Sequence, residues 1–165
     1  MKIIQVVGYK NSGKTTLASQ IIGILASKGL RVASLKHHGH GGLPLGFENT
    51  DSEKHKQAGA IIAGVEGEGV LQLSADTWDV DQMTAIYRWV GTDVLVIEGY
   101  KQFSFPKVVL INETDDLSIL QRVDNVTAIV TSITLNKAFT DSYLVFYRNA
   151  LAPFYEWISR TYVKK

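Results

Sequence analysis

Gly8-Tyr9-Lys10-Asn11-Ser12-Gly13-Lys14-Thr15 has the spacing G-x-x-x-x-G-K-[ST], with Thr16 directly behind it. Residues of these types at this spacing suit a polyphosphate. Gly8 and Gly13 allow tight backbone geometry, and the amides of Asn11 through Thr16 converge on phosphate oxygens at the positive end of a helix. Lys14 would reach the β- and γ-phosphates, and the Thr15 hydroxyl would ligate Mg²⁺. A glycine-rich strand–helix turn holding nothing is the plainer alternative.

A loop of this kind needs an acid at the C-terminal end of a buried strand, turned toward Mg²⁺. Glu98, after Val94-Leu95-Val96-Ile97, has that placement, although an acid there can also simply cap a strand end. Gly99 behind it would let the backbone approach the γ-phosphate region, with Tyr100 and Lys101 lining the same cleft. Three of the four histidines stand in Lys36-His37-His38-Gly39-His40. That segment reads as a loop for an anion or second substrate, as a transition-metal site, or as an exposed polar loop. Asp51 either favours a helix dipole or serves Mg²⁺ or an attacking water, and His55 lies one turn further along.

The elements that must position these groups are legible in outline. Ile3–Val7 is a short apolar strand entering the glycine loop, and Leu17, Ile21 and Leu25 recur at helical spacing behind it. This predicts a helix from Lys14 to Lys28, stopped by Gly29. Arg31–Leu35 follows as a second strand, then the Gly-rich stretch to Gly46 as a loop. Thr50-Asp51-Ser52-Glu53 has the form of a capping box for a helix closed at Gly59. Ala60–Val65 and Val70–Leu73 form a hairpin or two sequential strands. Asp79 caps a helix carrying Met83, Ile86, Tyr87 and Val90 on one face. Asp93–Glu98, Lys107–Ile111, Val126–Val130 and Tyr143–Phe146 are further strands, with an acidic loop at Glu113, Asp115 and Asp116. Asn149–Tyr162 is a last helix with Phe154, Trp157 and Ile158 inward. Strands alternating with helices predict a three-layer α/β fold of the P-loop NTPase kind, its mostly parallel sheet covered by helices and supplemented by a β-hairpin.

The 165 residues suit one domain, and no repeat or linker divides them. A net charge of +1 offers no sign of a nucleic-acid partner, and the absence of cysteine excludes disulfides and thiolate metal sites. No stretch approaches the roughly 18 apolar residues of a membrane helix. The expectation is a soluble cytoplasmic protein without a membrane partner.

Gly8–Leu17 (GYKNSGKTTL), Lys36–His40 (KHHGH), Asp51–Ala60 (DSEKHKQAGA) and Ile97–Lys101 (IEGYK) together resemble the molybdopterin-guanine dinucleotide biosynthesis protein B family. The likeness runs in order through about two-thirds of the chain. It implies a GTP-binding, Mg²⁺-dependent homodimer with weak hydrolysis. The implied partner is the guanylyltransferase that attaches GMP to molybdopterin, which this chain would serve as an accessory factor in molybdenum cofactor biosynthesis. Carried over by position, Gly8 and Asn11–Thr16 hold phosphates, Lys14 and Glu98 are the catalytic pair, and Thr15 and Glu98 hold the metal. Lys36–His40 would flank the site.

Base choice is not readable. Asn136-Lys137-Ala138-Phe139 begins the N-K-x-D pattern that reads guanine, but Phe139 stands in place of the acid. Asp124 and Thr131-Ser132 are substitutes. No arginine finger or glutamine is evident near the loop. Two other functions remain open: an ATP-dependent small-molecule kinase or ligase of the dethiobiotin synthetase type, and a metallochaperone GTPase using the histidine loop.

Overall fold

The computed structural model describes residues 1–39 and 50–163, so His40 and most of the glycine-rich stretch fall outside it. The chain forms two compact units, one of Met1–His37 with the chain from Ile86 onward and one of His38–Ala85.

The larger unit is built on six strands: β1 (Lys2–Val7), β2 (Val32–Lys36), β5 (Val94–Glu98), β6 (Lys107–Ile111), β7 (Val126–Thr131) and β8 (Val145–Tyr147). They lie in the order β2-β5-β1-β6-β7-β8, and every neighbouring pair is parallel. Parallel pairing follows from the crossovers, and a sheet covered on both faces reads as unbroken apolar runs. Thus Val94 to Ile97 and Val108 to Ile111 are all buried. One face packs Ile4, Val96, Val108 and Leu110 against Leu17, Ile21 and Leu25 of α1 (Lys14–Ser27) and Phe154 and Ile158 of α5 (Ala152–Tyr162). The opposite face packs Val7, Val109, Ile111 and Ile129 against Ile119 and Leu135. Helices on both faces of a parallel sheet are the layers expected from the sequence.

The smaller unit pairs β3 (Ile62–Gly67) and β4 (Val70–Ala75) as an antiparallel hairpin beside α2 (Asp51–Gln57). Glu68 and Gly69 make its two-residue turn, both at positive φ (49° and 82°), as a type I′ turn requires. The Thr50 hydroxyl accepts from the Glu53 amide, so the anticipated N-cap of α2 is present. At the start of α3 (Val80–Trp89), Asp79 and Gln82 exchange side-chain and backbone hydrogen bonds of 2.7 and 3.1 Å.

Several elements differ from expectation. The second strand begins one residue later and includes Lys36, and the last helix begins at Ala152, where Pro153 suits a first turn. The supposed acidic loop is a 3₁₀ helix over Thr114–Gln121. Glu113 and Asp116 close its start reciprocally, and Asp116 is buried on the Asn112 amide at 2.7 Å. A short helix, α4 (Lys137–Ser142), is capped by Asn136.

Asp124 cannot read a base beside the phosphate loop. It precedes β7 and pairs with the fully buried Lys107 at 2.8 Å, at the sheet end opposite the C-terminal strand ends. Hydrogen bonds from Lys107 and Ser104 hold its carboxyl below the usual range. Lys107 also donates to the Phe103 and Phe105 carbonyls, which satisfies its ammonium.

Candidate functional site

The glycine loop joins the C-terminal end of β1 to α1, and its conformation explains its residue types. A Cβ at Gly8 would lie 2.5 Å from Ser12 Oγ, so any side chain there collides with the loop's own return. Gly13 (φ 86°) is left-handed, where a β-carbon is strained, and Asn11 (φ 60°) is a residue that tolerates that region. Gly13 caps α1 without offering a side-chain acceptor. The first-turn amides of Lys14, Thr15 and Thr16 therefore remain as donors at the positive helix end, the arrangement that receives an anion. Ser12 Oγ is buried without a protein partner.

Around this loop the larger unit gathers five of the charged or polar groups expected from the sequence. Thr15 Oγ1 donates to both carboxylate oxygens of Glu98, at 2.9 and 3.0 Å. Lys36 Nζ lies 3.2 Å from Glu98 Oε1 and 3.1 Å from Thr15 Oγ1. Lys14 Nζ donates to the Tyr9 carbonyl at 2.6 Å. Lys101 Nζ stands 4.4 Å above the Tyr9 ring. Burial lowers the Lys14 pKa; Glu98 opposes that shift, and the like charges of Lys101 and Lys36 reinforce it. Three ammonium groups and one carboxylate around the loop leave a local positive excess suited to a polyphosphate.

Thr15 and Glu98 offer hard oxygen donors in contact with one another, which fits Mg²⁺. The Lys36 ammonium already rests on the same two oxygens, so the pair favours a cation. Glu98 is held in place by its neighbours. Gln5 of β1, fully buried, donates to the Gly99 and Tyr100 carbonyls at 2.9 and 2.8 Å, and the His37 amide donates to the Glu98 carbonyl at 2.9 Å. A Cβ at Gly99 would approach His37 Cβ to 2.9 Å. His37 and Tyr100 rings pack at 4.4 Å, and Tyr100 stacks on Phe103 at 4.5 Å. His37 thus meets the Glu98 loop through its backbone and ring.

The remaining expected residues fall outside these contacts of the larger unit. His38 and Asp51 belong to the smaller unit, where Asp51 opens α2 and pairs with Lys54 at 2.7 Å. His40 lies outside the described residues. Asp93 begins the far end of the β5 segment and accepts from the Arg31 amide at 2.8 Å.

Two neighbours of the loop carry no sequence motif. Asn112, at the end of β6, donates to the Ser12 carbonyl at 3.4 Å and accepts from Ser132. Arg148, just past β8, donates from Nη2 to the same carbonyl at 2.5 Å, an approach that nothing in the sequence announced. Only the order of strands brings them there. Glu98 and Lys36 lie on the β5–β2 side of β1, and Asn112 and Arg148 on the β6–β8 side.

Comparison with known proteins agrees with this architecture. Residues 3–132 match the family model described as molybdopterin guanine dinucleotide synthesis protein B. The probable molybdopterin-guanine dinucleotide biosynthesis adapter protein of Bacillus subtilis is 46% identical over 130 residues, covering 78% of this chain and 75% of that protein. A putative adapter protein of Methanocaldococcus jannaschii is 27% identical over 157 residues, which cover 93% of this chain and 64% of that longer protein. The crystal structure of Bacillus subtilis MobB superposes with a TM-score of 0.78 at 35% identity, covering all of both chains. With the phosphate loop, the Thr15–Glu98 pair and the sheet order in place, the chain belongs to the molybdopterin guanine dinucleotide synthesis protein B family.

Proposed function

We propose that this chain is a GTP-binding accessory protein in molybdenum cofactor biosynthesis, acting beside the enzyme that joins GMP to molybdopterin. The family and the adapter names of its relatives support the accessory role. The observation that carries nucleotide binding is the uncapped start of α1 with Lys14 beside it and Thr15 on Glu98. In this reading the amides of Asn11–Thr16 hold the phosphates, Lys14 binds the β- and γ-oxygens, and Lys36 and Lys101 add positive charge. Thr15 and Glu98 would hold Mg²⁺, which would supply positive charge to offset that of the phosphates. His37 and Lys36 mark where a second ligand would approach. Among the described residues no helix is long and apolar enough to cross a membrane, which accords with a cytoplasmic site of action.

Calorimetric titration with GTP and ATP in Mg²⁺ tests the reading, together with a guanylyltransferase assay with and without the chain. GTP binding and faster dinucleotide formation, with little GTP turnover by the chain alone, are expected. ATP turnover that needs a small acid or alcohol would overturn it in favour of a kinase or ligase. Glu98→Gln keeps a hydrogen-bonding partner for Thr15 but removes the charge. Mg²⁺ should then cease to strengthen GTP binding, while affinity in EDTA is unchanged. An undiminished Mg²⁺ effect would remove Glu98 from the metal site.

The homodimer is part of the same proposal. Ile61, Val65, Val70 and Leu71 expose apolar surface in the hairpin unit, the kind of surface that marks an interaction site. Sedimentation should give twice the 18.2 kDa chain mass, and Leu71→Glu should shift it toward the single-chain value.

A further inference from the structure

Beside the phosphate loop, beyond the C-terminal ends of β7 and β8, lies a cleft of about 380 Å³. Thr131, Ser132 and Thr134 form one wall, and Tyr147, Arg148 and Asn149 the other. Its volume is in the roughly 300–1,000 Å³ range of small-molecule clefts. In open parallel sheets ligands bind beyond the carboxyl ends of the strands. The Thr15–Glu98 pair takes the phosphate tail toward β5 and β2, so the opposite flank is left for the nucleoside.

What this cleft can read depends on its donors and acceptors. No carboxylate lines it. The ends of the usual guanine pattern are engaged elsewhere, since Asn136 caps α4 through the Phe139 amide and Phe139, half-buried, packs against the core. The one charged group is Arg148. Its amide donates to the Thr131 carbonyl at 2.8 Å, which ties it to the end of β7. Its guanidinium lies across Gly13, where a Cβ would come within 2.7 Å of Nη2, and one N–H is used on the Ser12 carbonyl. Among the described residues it has no carboxylate partner and no second acceptor. A guanidinium fork held in place with spare donors matches a base edge that presents two acceptors. Guanine presents such an edge in O6 and N7, whereas adenine offers N7 beside a donating N6 amino group.

We infer that Arg148 is the residue that selects guanine, reading O6 and N7 with its free donors in place of the carboxylate that would read N1 and N2. This inference rests on the proposed nucleotide-binding function and adds to it the base and the edge that is read. The mode has a signature that the carboxylate mode lacks. Inosine triphosphate keeps O6 and N7 and lacks only the 2-amino group, so it should bind like GTP. 7-Deaza-GTP loses an acceptor and should bind worse.

The test is a calorimetric series on the full chain in Mg²⁺ with GTP, ITP, 7-deaza-GTP and ATP, for wild type, Arg148→Lys and Arg148→Met. In wild type, ITP should match GTP within about twofold, and 7-deaza-GTP and ATP should bind about tenfold or more weakly. Arg148→Met should lower GTP affinity to that of ATP while leaving ATP affinity unchanged, with Arg148→Lys intermediate. Equal losses for GTP and ATP in Arg148→Met would make the residue a brace for Ser12 only and overturn the inference. ITP far weaker than GTP in wild type would also overturn it, without any variant. Triphosphate binding indifferent to the base sinks this inference and leaves the phosphate site standing. No triphosphate binding at all overturns both.

Discussion

Lys14→Ala is expected to weaken GTP binding by at least about 100-fold while the protein stays folded. The ammonium would make charge-assisted contacts to two phosphate groups, each worth roughly 1.5–3 kcal/mol, and together these exceed a hundredfold in affinity. The fold has little to lose. Among the described residues Lys14 makes one side-chain hydrogen bond, to the Tyr9 carbonyl, and burial, against the opposing pull of Glu98 and with the help of Lys101 and Lys36, disfavours its charge. Removing it relieves that crowding. Circular dichroism should show an unchanged spectrum and a melting temperature within a few degrees of wild type, and calorimetry should show the lost affinity. A GTP affinity equal to wild type in the folded variant would dismiss the site.

The largest effect on stability is expected from Phe154→Ala. Phe154 is fully buried where α5 meets α1 and the sheet, with Phe146 and Trp157 rings at 5.3 and 5.8 Å. Truncating a buried phenylalanine typically costs ~3–5 kcal/mol, because the lost transfer energy is joined by a cavity that neighbours fill only in part. Set against a total stability of about 5–15 kcal/mol, that is a large fraction, and for a chain this long it lowers the melting temperature by about 10 °C. Saturating GTP should recover part of it, since a ligand of the native state stabilises by mass action. Trp89→Ala is the matched control: its ring is 86% exposed, and its removal should shift stability by no more than about 0.5 kcal/mol. A loss below about 1 kcal/mol for Phe154→Ala would show that α5 does not close this core.

Legibility in the sequence followed the range of the interactions. The glycine loop between β1 and α1, the Gly29 stop, the Thr50–Glu53 cap and the acid ending β5 are each defined within a few residues, and each is present in the structure. The 3₁₀ helix at Thr114–Gln121 was hidden because Glu113, Asp115 and Asp116 at its start resemble a solvated loop. Asp116 is instead buried to satisfy backbone amides. Arg148 and Asn112 were hidden for another reason. They are 136 and 100 residues from Ser12, and nothing in their own neighbourhood marks them. Their approach to the loop is decided by β8 and β6 taking places on one flank of β1. No local pattern encodes that order. Asp124 failed as a base reader on the same grounds, since only the register of β6 and β7 shows which end of the sheet it occupies.

The sheet order also sets a timetable for synthesis. β1 is made well before its two partners, β5 and β6, which pair with it through residues 94–98 and 107–109. At the usual 5–20 residues per second, the phosphate loop waits roughly 5–20 s on the ribosome for the strands that flank it. During that interval Ile3 to Val7 is an apolar strand with both edges unpaired, the kind of segment that recruits chaperones or aggregates. A central strand is therefore completed long after it is made, and the yield of folded protein should depend on elongation rate through the segment between α1 and β6.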